Sequence, residues 1–459
     1  MSDRTANELT DLTGASENDL KRSITGRLLF FYVLGDVLGS GIYVLIGSVA
    51  GAVGGAFWIA FAVGVSVATI TGLAYAELVT KYPQAAGAAL YVHKAFNNTP
   101  LTFLITFCML SASFAAAGSL ATGFASYFLE VWGLPPELLI ALAFIVVLAV
   151  INFIGITESV VANVVMTIIE VGGLILIMVI GVIYVAQGNA DFGTLTEFEA
   201  SGKSPVFAVI AGVALAFFAM TGFENAANVA EETVDPQRAF PRALVGGMIV
   251  AGILYVLVAM VAALTVPIAT LAGSDAALLE VVKADILPIP VAIMTIVFAV
   301  IAMIAITNTA LVALVTESRI LYGMAREDVV PGVFSKVHQS RRSPWVALIF
   351  AAVVVGGLLL SGADLDRLVA VTVVFTLFIY ALVIVAALKL RNRDVGEGTF
   401  QSSAVLLVIG IIGNAVLLGY VVYTDPASLI YCAALLGVGL VLFVVEYFFG
   451  RRTSTESGA

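Results

Sequence analysis

The stretch Gly35-Asp36-Val37-Leu38-Gly39-Ser40-Gly41-Ile42 lies inside an apolar run over residues 28–50. An acid and a serine set among glycines are poor material for the middle of a membrane helix. Each glycine in a helix interior costs about 1 kcal/mol relative to alanine. The run can cross hydrocarbon, yet its backbone should open at mid-depth. A second apolar run, 205–229, contains Phe217-Phe218-Ala219-Met220-Thr221-Gly222-Phe223-Glu224 and has the same character. Non-helical backbone at this depth survives only where protein or a wet cavity satisfies it. Together the stretches predict two helices that break beside a polar site within a membrane.

The rest of the chain fits that reading. Its 459 residues are 61% hydrophobic and 11% charged, with a mean hydropathy of +1.09; soluble domains carry about 25% charged residues. Disorder requires the opposite composition. Barrel strands would alternate apolar and polar residues, whereas these runs are continuously apolar. Twelve apolar segments fall near 28–50, 56–79, 100–128, 137–156, 160–187, 205–229, 242–266, 289–322, 344–361, 367–389, 402–423 and 427–449, the ninth being short. Each is set against a hydrocarbon layer of roughly 30 Å. Gly41 and Gly222 are five helices apart, so the breaks fall in the first helices of two consecutive five-helix units. Interruptions at matching places in two halves point to a transporter site.

Lysine and arginine set the expected orientation. With the N-terminus inside, only Lys203, Lys283 and Arg367 fall outside, and the other 18 basic residues face the cytoplasm. This predicts a multi-pass protein of the cytoplasmic membrane with both termini cytoplasmic. The polar start lacks the pattern of a cleavable signal.

Composition also removes several classes. Cys108 and Cys432 lie inside apolar runs, which argues against a disulfide framework or a thiolate metal site. His93 and His338 are far apart in polar stretches, so neither haem nor zinc is expected, and no cofactor is implied. A net charge of −10 and a pI near 4.8 argue against nucleic acid as a partner. The acidic balance, with 7 lysines against 14 arginines, suits a high-salt habitat or reflects lineage composition. Residues 47–55 are glycine-rich but lack the lysine and hydroxyl of a phosphate loop. With no histidine in a span and no thiol pair, an enzyme is not expected.

The chemistry of the breaks suggests a ligand. A half-helix beginning at Ile42 offers free N–H groups and a positive dipole end to an anion. Carbonyls freed around Phe218 and Ala219 accept from an ammonium. A carboxylate on one break and an ammonium on the other describe an amino acid. Against this, membrane glycines often serve only close packing, and the chain has 42 of them.

At this point the sequence resembles the amino acid–polyamine–organocation superfamily, nearest its cationic-amino-acid-transporter-like branch. Gly39-Ser40-Gly41-Ile42-Tyr43 is similar to its first-helix signature. Phe217 to Arg242, with Gly222-Phe223-Glu224 and Asp235-Pro236-Gln237-Arg238, resembles its sixth helix and following loop. Ser318 to Arg326, Pro331 and Ser343-Pro344 resemble the end of its eighth helix. Tyr75-Ala76-Glu77-Leu78 through Pro83, Gly87 and Tyr91 resemble its second-to-third join.

The resemblance implies 12 transmembrane helices in a 5+5 inverted repeat with broken helices 1 and 6, plus two C-terminal helices. The corresponding units are an N-terminal tail (1–25), repeats over 26–200 and 201–395, a final pair over 396–450 and a C-terminal tail (451–459). By matching position, backbone of Ser40, Gly41 and Ile42 would hold a carboxylate. Carbonyls of Val37, Phe218, Ala219 and Thr221 would hold the amine, and the Phe218 ring would close over the substrate.

Ionisable residues inside spans are expensive and are functional candidates. Glu170 stands in the fifth span where many relatives of this superfamily carry lysine. Deprived of water, its carboxyl could carry a proton; ionised, it could ligate a cation with Thr307, Asn308 or Thr309. Asp36 lies about one turn before Gly39, at the expected cavity edge. There it would favour a second positive charge on the substrate, titrate with the cycle, or bond to freed backbone. Glu224 is expected either to gate or to satisfy unwound backbone in helix one. Glu77, Glu158 and Glu317 read as structural acids near cytoplasmic span ends, solvated or in loop salt bridges, and Arg319 and Arg326 as inner-surface anchors that could form part of an inner gate. Glu446 would meet Arg451 or water, and Glu231-Glu232 would make loop contacts.

The reading is a secondary active transporter that moves amino acids or related small amines by alternating access, driven by protons or exchange. Alternatives are a polyamine or organocation carrier, a sodium-coupled symporter, a channel, or a non-transporting sensor. The partners implied are a small-molecule substrate, the lipid bilayer, and H+ or Na+.

Overall fold

The computed structural model describes residues 24–84, 87–154, 160–198, 204–327, 329–339, 341, 343–393, 396 and 399–450. The C-terminal tail, most of the N-terminal tail, and the expectations for Glu158, Lys203, Arg342 and Arg451 lie outside them. The helices are α1 (Gly26–Leu38), α2 (Gly41–Val53), α3 (Trp58–Lys81), α4 (Gly87–Phe96), α5 (Thr99–Trp132), α6 (Glu137–Ile154), α7 (Val160–Ala186) and α8 (Pro205–Ala216). They continue with α9 (Pro236–Thr265), α10 (Ile268–Ala272), α11 (Ala277–Lys283), α12 (Val291–Arg326), α13 (Trp345–Leu360), α14 (Leu365–Leu390), α15 (Ala404–Thr424) and α16 (Ser428–Val445).

Ten spans are long and apolar enough to cross a membrane, and α1 with α2 would make one more across a 41° bend. The span that begins with α8 runs on through two 3-10 segments, Phe217–Met220 and Phe223–Val229. At 16 residues, α13 is the short one; at 1.5 Å per residue it reaches about 24 Å. The first break falls at Gly39–Ser40, and the second at Thr221–Gly222. Among the described residues no strand forms beyond a single Ile24–Thr233 bridge.

The spans pack around α14, whose apolar stretch is 72% buried, against 28% for α15 and 22% for α16. The last pair therefore sits on the lipid-facing periphery. At one end of the bundle α10 and α11 fold over α2. A Cβ on Gly47 would lie 2.6 Å from the Leu271 carbonyl oxygen, so this approach requires glycine. Ser48 donates to Asp366 at 2.9 Å there, and Lys283 bonds to Glu130 (2.6 Å) and Glu280 (2.9 Å).

At the other end, α3 is tied to the segment after α14. Glu77 accepts from the Ser402 amide (3.1 Å) and hydroxyl (2.9 Å) and pairs with Lys81 at 3.7 Å. Lys81 also donates to the carbonyls of Leu390 and Arg391. Glu77 and Glu317 are completely buried rather than solvated. The reason is helix length: α3 runs on to Lys81 and α12 to Arg326, so both acids stay inside packed helix. Removing one partner from a buried ion pair costs about 3–5 kcal/mol. Glu77→Ala is expected to lower the unfolding free energy in detergent by about 3 kcal/mol or more, and Glu77→Gln by less because its amide keeps a carbonyl oxygen for Ser402. Equal thermal melts for wild type and Glu77→Ala would show that this tie contributes nothing.

Candidate functional site

A cavity of about 110 Å3 lies where the two breaks meet. The first break builds one face of it. The first intrahelical bond of α2 runs from the Val44 N–H to the Ser40 carbonyl at 3.1 Å. The amides of Gly41, Ile42 and Tyr43 therefore precede the helical ladder, at the positive end of the dipole. The half-helix thus starts at Gly41, one residue before the expected Ile42. The Ser40 amide donates to Thr309 Oγ1 of α12 at 3.2 Å, which holds the break in place.

The second break is shaped by Gly222, at φ +110°. A Cβ on Gly222 would lie 2.6 Å from the Asp36 carbonyl oxygen, and one on Gly41 would lie 2.4 Å from Ala219 Cα. The two interruptions therefore touch backbone to backbone, and each contact requires a residue without a side chain. Phe218 and Thr221 form a tight turn, in which the Phe218 carbonyl accepts the Thr221 amide at 3.2 Å and hydroxyl at 2.8 Å.

Tyr255 of α9 spans both breaks. Its hydroxyl lies 2.5 Å from the Val37 carbonyl oxygen and 3.2 Å from that of Ala219. One phenolic hydrogen serves one carbonyl at a time and stays within reach of the other. Sequence reading missed this residue, because nothing in the α9 pattern separates it from a core aromatic. Tyr380 of α14 was missed too. It donates to Glu224 Oε2 at 2.6 Å, and the same oxygen accepts the Gly222 amide at 2.8 Å. Glu224 thus fixes the backbone of its own break and ties it to α14.

Asp36, Val37, Ser40, Gly41, Phe218, Ala219, Thr221, Glu224 and Thr309 all line the cavity. Ile42 is buried beside it. The Asn225 side chain lies next to Asp36, and among the described residues Asp36 Oδ2 is buried without a partner. The lining contains two carboxyls, Asp36 and Glu224, and no lysine, arginine or histidine. The remaining wall is small and hydroxylated: Ala112, Ser113 and Ala116 of α5, and Thr372 and Thr376 of α14. The threonines stand four residues apart in a highly apolar span, a signal that was available in the sequence.

Glu170 does not line the cavity. It is completely buried in α7, neither carboxyl oxygen has a partner among the described residues, and its backbone carbonyl accepts the Tyr43 hydroxyl at 2.7 Å. The three candidate donors of α12 diverge, as consecutive helical residues must. Thr309 faces the first break, Asn308 accepts from Asn163 at 3.2 Å, and Thr307 bonds to its own helix at Met303 (2.6 Å).

A vestibule of about 1760 Å3 joins the cavity. Asn225, Val312 and Thr316 line both spaces and form the threshold between them. The vestibule runs to the end of the bundle that carries Glu232, Arg319 and Glu327. Arg326 stacks on Tyr322 at 5.9 Å. The Glu232 carbonyl accepts the Ile24 amide at 3.0 Å.

The family described as amino acid permease matches residues 26–445. The branched-chain amino acid permease BcaP of Bacillus subtilis is 28% identical over 84% of this chain and 85% of its own. Cationic amino acid transporter 9, chloroplastic, of Arabidopsis thaliana is 28% identical over 72% of this chain and 59% of its own. The methylthioribose transporter of Bacillus subtilis is 26% identical over 83% of each.

Tyr255→Phe keeps the ring and removes the bridge, leaving buried carbonyls short of a donor. A loss of about 1–3 kcal/mol in unfolding free energy is expected, with ligand binding weakened in parallel. Wild-type melting and wild-type binding together would show that the bridge is dispensable.

Proposed function

This chain belongs to the amino acid permease family, and on that premise we propose how it moves its substrate. It is a membrane transporter of amino acids or related small amines. The observation that carries the fuller reading is the meeting of two broken helices around one cavity, with unladdered amides on one side and carboxyls on the other.

The substrate carboxylate is held by the backbone at Ser40, Gly41 and Ile42, where the amides and helix dipole point the same way. The ammonium goes to Asp36. The family resemblance assigns it to carbonyls of Val37, Phe218, Ala219 and Thr221, but Thr221 bonds to the Phe218 carbonyl, and Tyr255 bonds to one of Val37 and Ala219 at a time, so these are partly engaged. The unpartnered Asp36 Oδ2 is the acceptor left for a cation. Phe218 closes over the bound substrate.

The chain crosses the membrane twelve times: ten long spans, the α1–α2 pair and the short α13. The first repeat runs from α1 to α7 and the second, inverted, from α8 to α14, with α15 and α16 appended. The vestibule end carries Lys81, Lys94, Arg319, Arg326, Lys389 and Arg391, and the opposite end Lys283 and Arg367. By the positive-inside rule the vestibule faces the cytoplasm, along with both termini. The conformation is thus open to the inside, and α10 and α11 close the outside. Transport alternates by rocking the broken helices and their neighbours against α5, α6, α12 and α13.

Glu170 carries the coupling proton. A charge buried without partners at this depth is costly, and a bound proton removes the cost. Sodium is the second reading, but Thr307 and Asn308 spend their hydrogen bonds elsewhere, which leaves Thr309 alone of the three hydroxyl and amide candidates near the first break. In proteoliposomes preloaded or empty, labelled lysine, arginine, alanine and leucine are compared at two pH values with and without sodium. Uptake driven by a proton gradient, with Glu170→Gln transporting but no longer responding to pH, is expected. Sodium-driven uptake would reject the proton assignment, and no uptake or exchange of any of the four would reject these substrates. Asp36→Asn is expected to lower uptake of all four, since it removes the anchor for an ammonium they share. Loss confined to lysine and arginine would place Asp36 against the side-chain cation instead.

A further inference from the structure

The vestibule, at about 1760 Å3, is far larger than passage of one amino acid requires, and part of its wall is apolar. Phe103 and Met109 of α5 line it together with Leu440 and Phe443 of α16. Leu440 is 59% exposed and Phe443 40% exposed. They sit in the least buried of the long spans. Residues that line an internal space and also face lipid mark a sideways opening. The opening ends abruptly toward the membrane centre. A Cβ on Gly439 would lie 2.4 Å from the Phe107 ring, so α5 and α16 touch there. One turn toward the vestibule mouth, Phe103 packs on Phe443 with centroids 5.2 Å apart and forms an apolar lip.

The same end of the bundle is basic. His93 of α4 lines the vestibule, with its Nδ1 3.2 Å from Thr102 Oγ1. Lys94, the next residue, lies over Tyr82 at 5.9 Å, and Lys389 leans over Phe96 of the same short helix at 4.5 Å. Among the described residues neither ammonium is paired with a carboxylate. Ring contact leaves their hydrogens available to an anion.

An apolar slot at the α5–α16 seam and unneutralised lysines at the same end of the bundle match the two ends of one molecule. We propose that an anionic phospholipid of the surrounding bilayer seats here. One acyl chain enters between α5 and α16 along Phe103, Leu440 and Phe443. The phosphate lies against Lys94 and Lys389. The apolar lip and the lysines make separate demands, which a soluble anion or a neutral lipid would meet only in part.

The full chain is placed in nanodiscs of phosphatidylglycerol and phosphatidylcholine in equal parts, extracted, and weighed by native mass spectrometry. Retention of phosphatidylglycerol in preference to phosphatidylcholine is expected. Lys94→Gln and Lys389→Gln should each lower that preference about fivefold, as expected for loss of one interfacial cation. Leu440→Trp, which fills the slot and leaves the charges, should lower retention of both lipids. Thermal melts establish that each variant is folded. Retained lipid that mirrors the bulk mixture overturns the proposal. So does a preference that responds to the lysines but not to Leu440→Trp, because that describes a charged surface without a seat for the chain.

Discussion

The contact on which the rest depends is backbone against backbone. Gly41 lies on Ala219, and Gly222 lies on the Asp36 carbonyl. Each helix opens where the other approaches, so the polar groups released by one break are shielded from lipid by the second. An open backbone in hydrocarbon leaves each unsatisfied group costing several kcal/mol. Neither break is affordable alone, and the pair holds because Tyr255, Thr309 and Glu224 each supply a hydrogen bond that the helical ladder has lost. All three come from the second half of the chain, and two of them serve backbone of the first break, so the first break depends on the second half.

The buried acids divide by what surrounds them. Glu77 is matched by Lys81 and by both donors of Ser402, so it belongs to a structural tie. Glu224 is matched by Tyr380 and an amide, and it shapes the backbone of its break. Glu170 has no partner for either oxygen, and one oxygen of Asp36 has none. A structural role accounts for the first two. The last two are placed where a group that comes and goes, a proton or a substrate cation, would complete them. Glu317 is also buried with neither oxygen paired. It does not line the cavity or the vestibule, and we have no physical account of it.

The parts of this arrangement that could be read from sequence follow from local rules. Both breaks were legible, because glycine and polar residues conflict with a continuous apolar helix whatever surrounds them. Asp36 was placed by helical spacing from Gly39. The start of α2 was misjudged by one residue because it is fixed by which carbonyl accepts first, a matter of backbone geometry rather than residue type. Tyr255 and Tyr380 were illegible for a different reason. A tyrosine in an apolar span reads as core until a carbonyl from another helix is known to meet its hydroxyl. The solvated reading of Glu77 and Glu317 failed similarly, since helix ends were judged by hydropathy while α3 and α12 continue through their polar last turns.

The same contact also limits how the protein can move. Because Gly41 and Gly222 hold the breaks at the shortest distances in the site, α1, α2 and the second broken span cannot slide past one another without a clash. They must travel together. The threshold is different: Asn225 comes from the broken span, while Val312 and Thr316 come from α12. It is a seam between the two, and beside it the first break is also held to α12, where a Cβ on Gly39 would lie 2.7 Å from Thr309 Oγ1. Asn225 lies next to Asp36 on the broken-span side of that seam. Under the proposed function, a substrate cation on Asp36 would act where the broken spans meet α12, so that binding and closure would be one event rather than two.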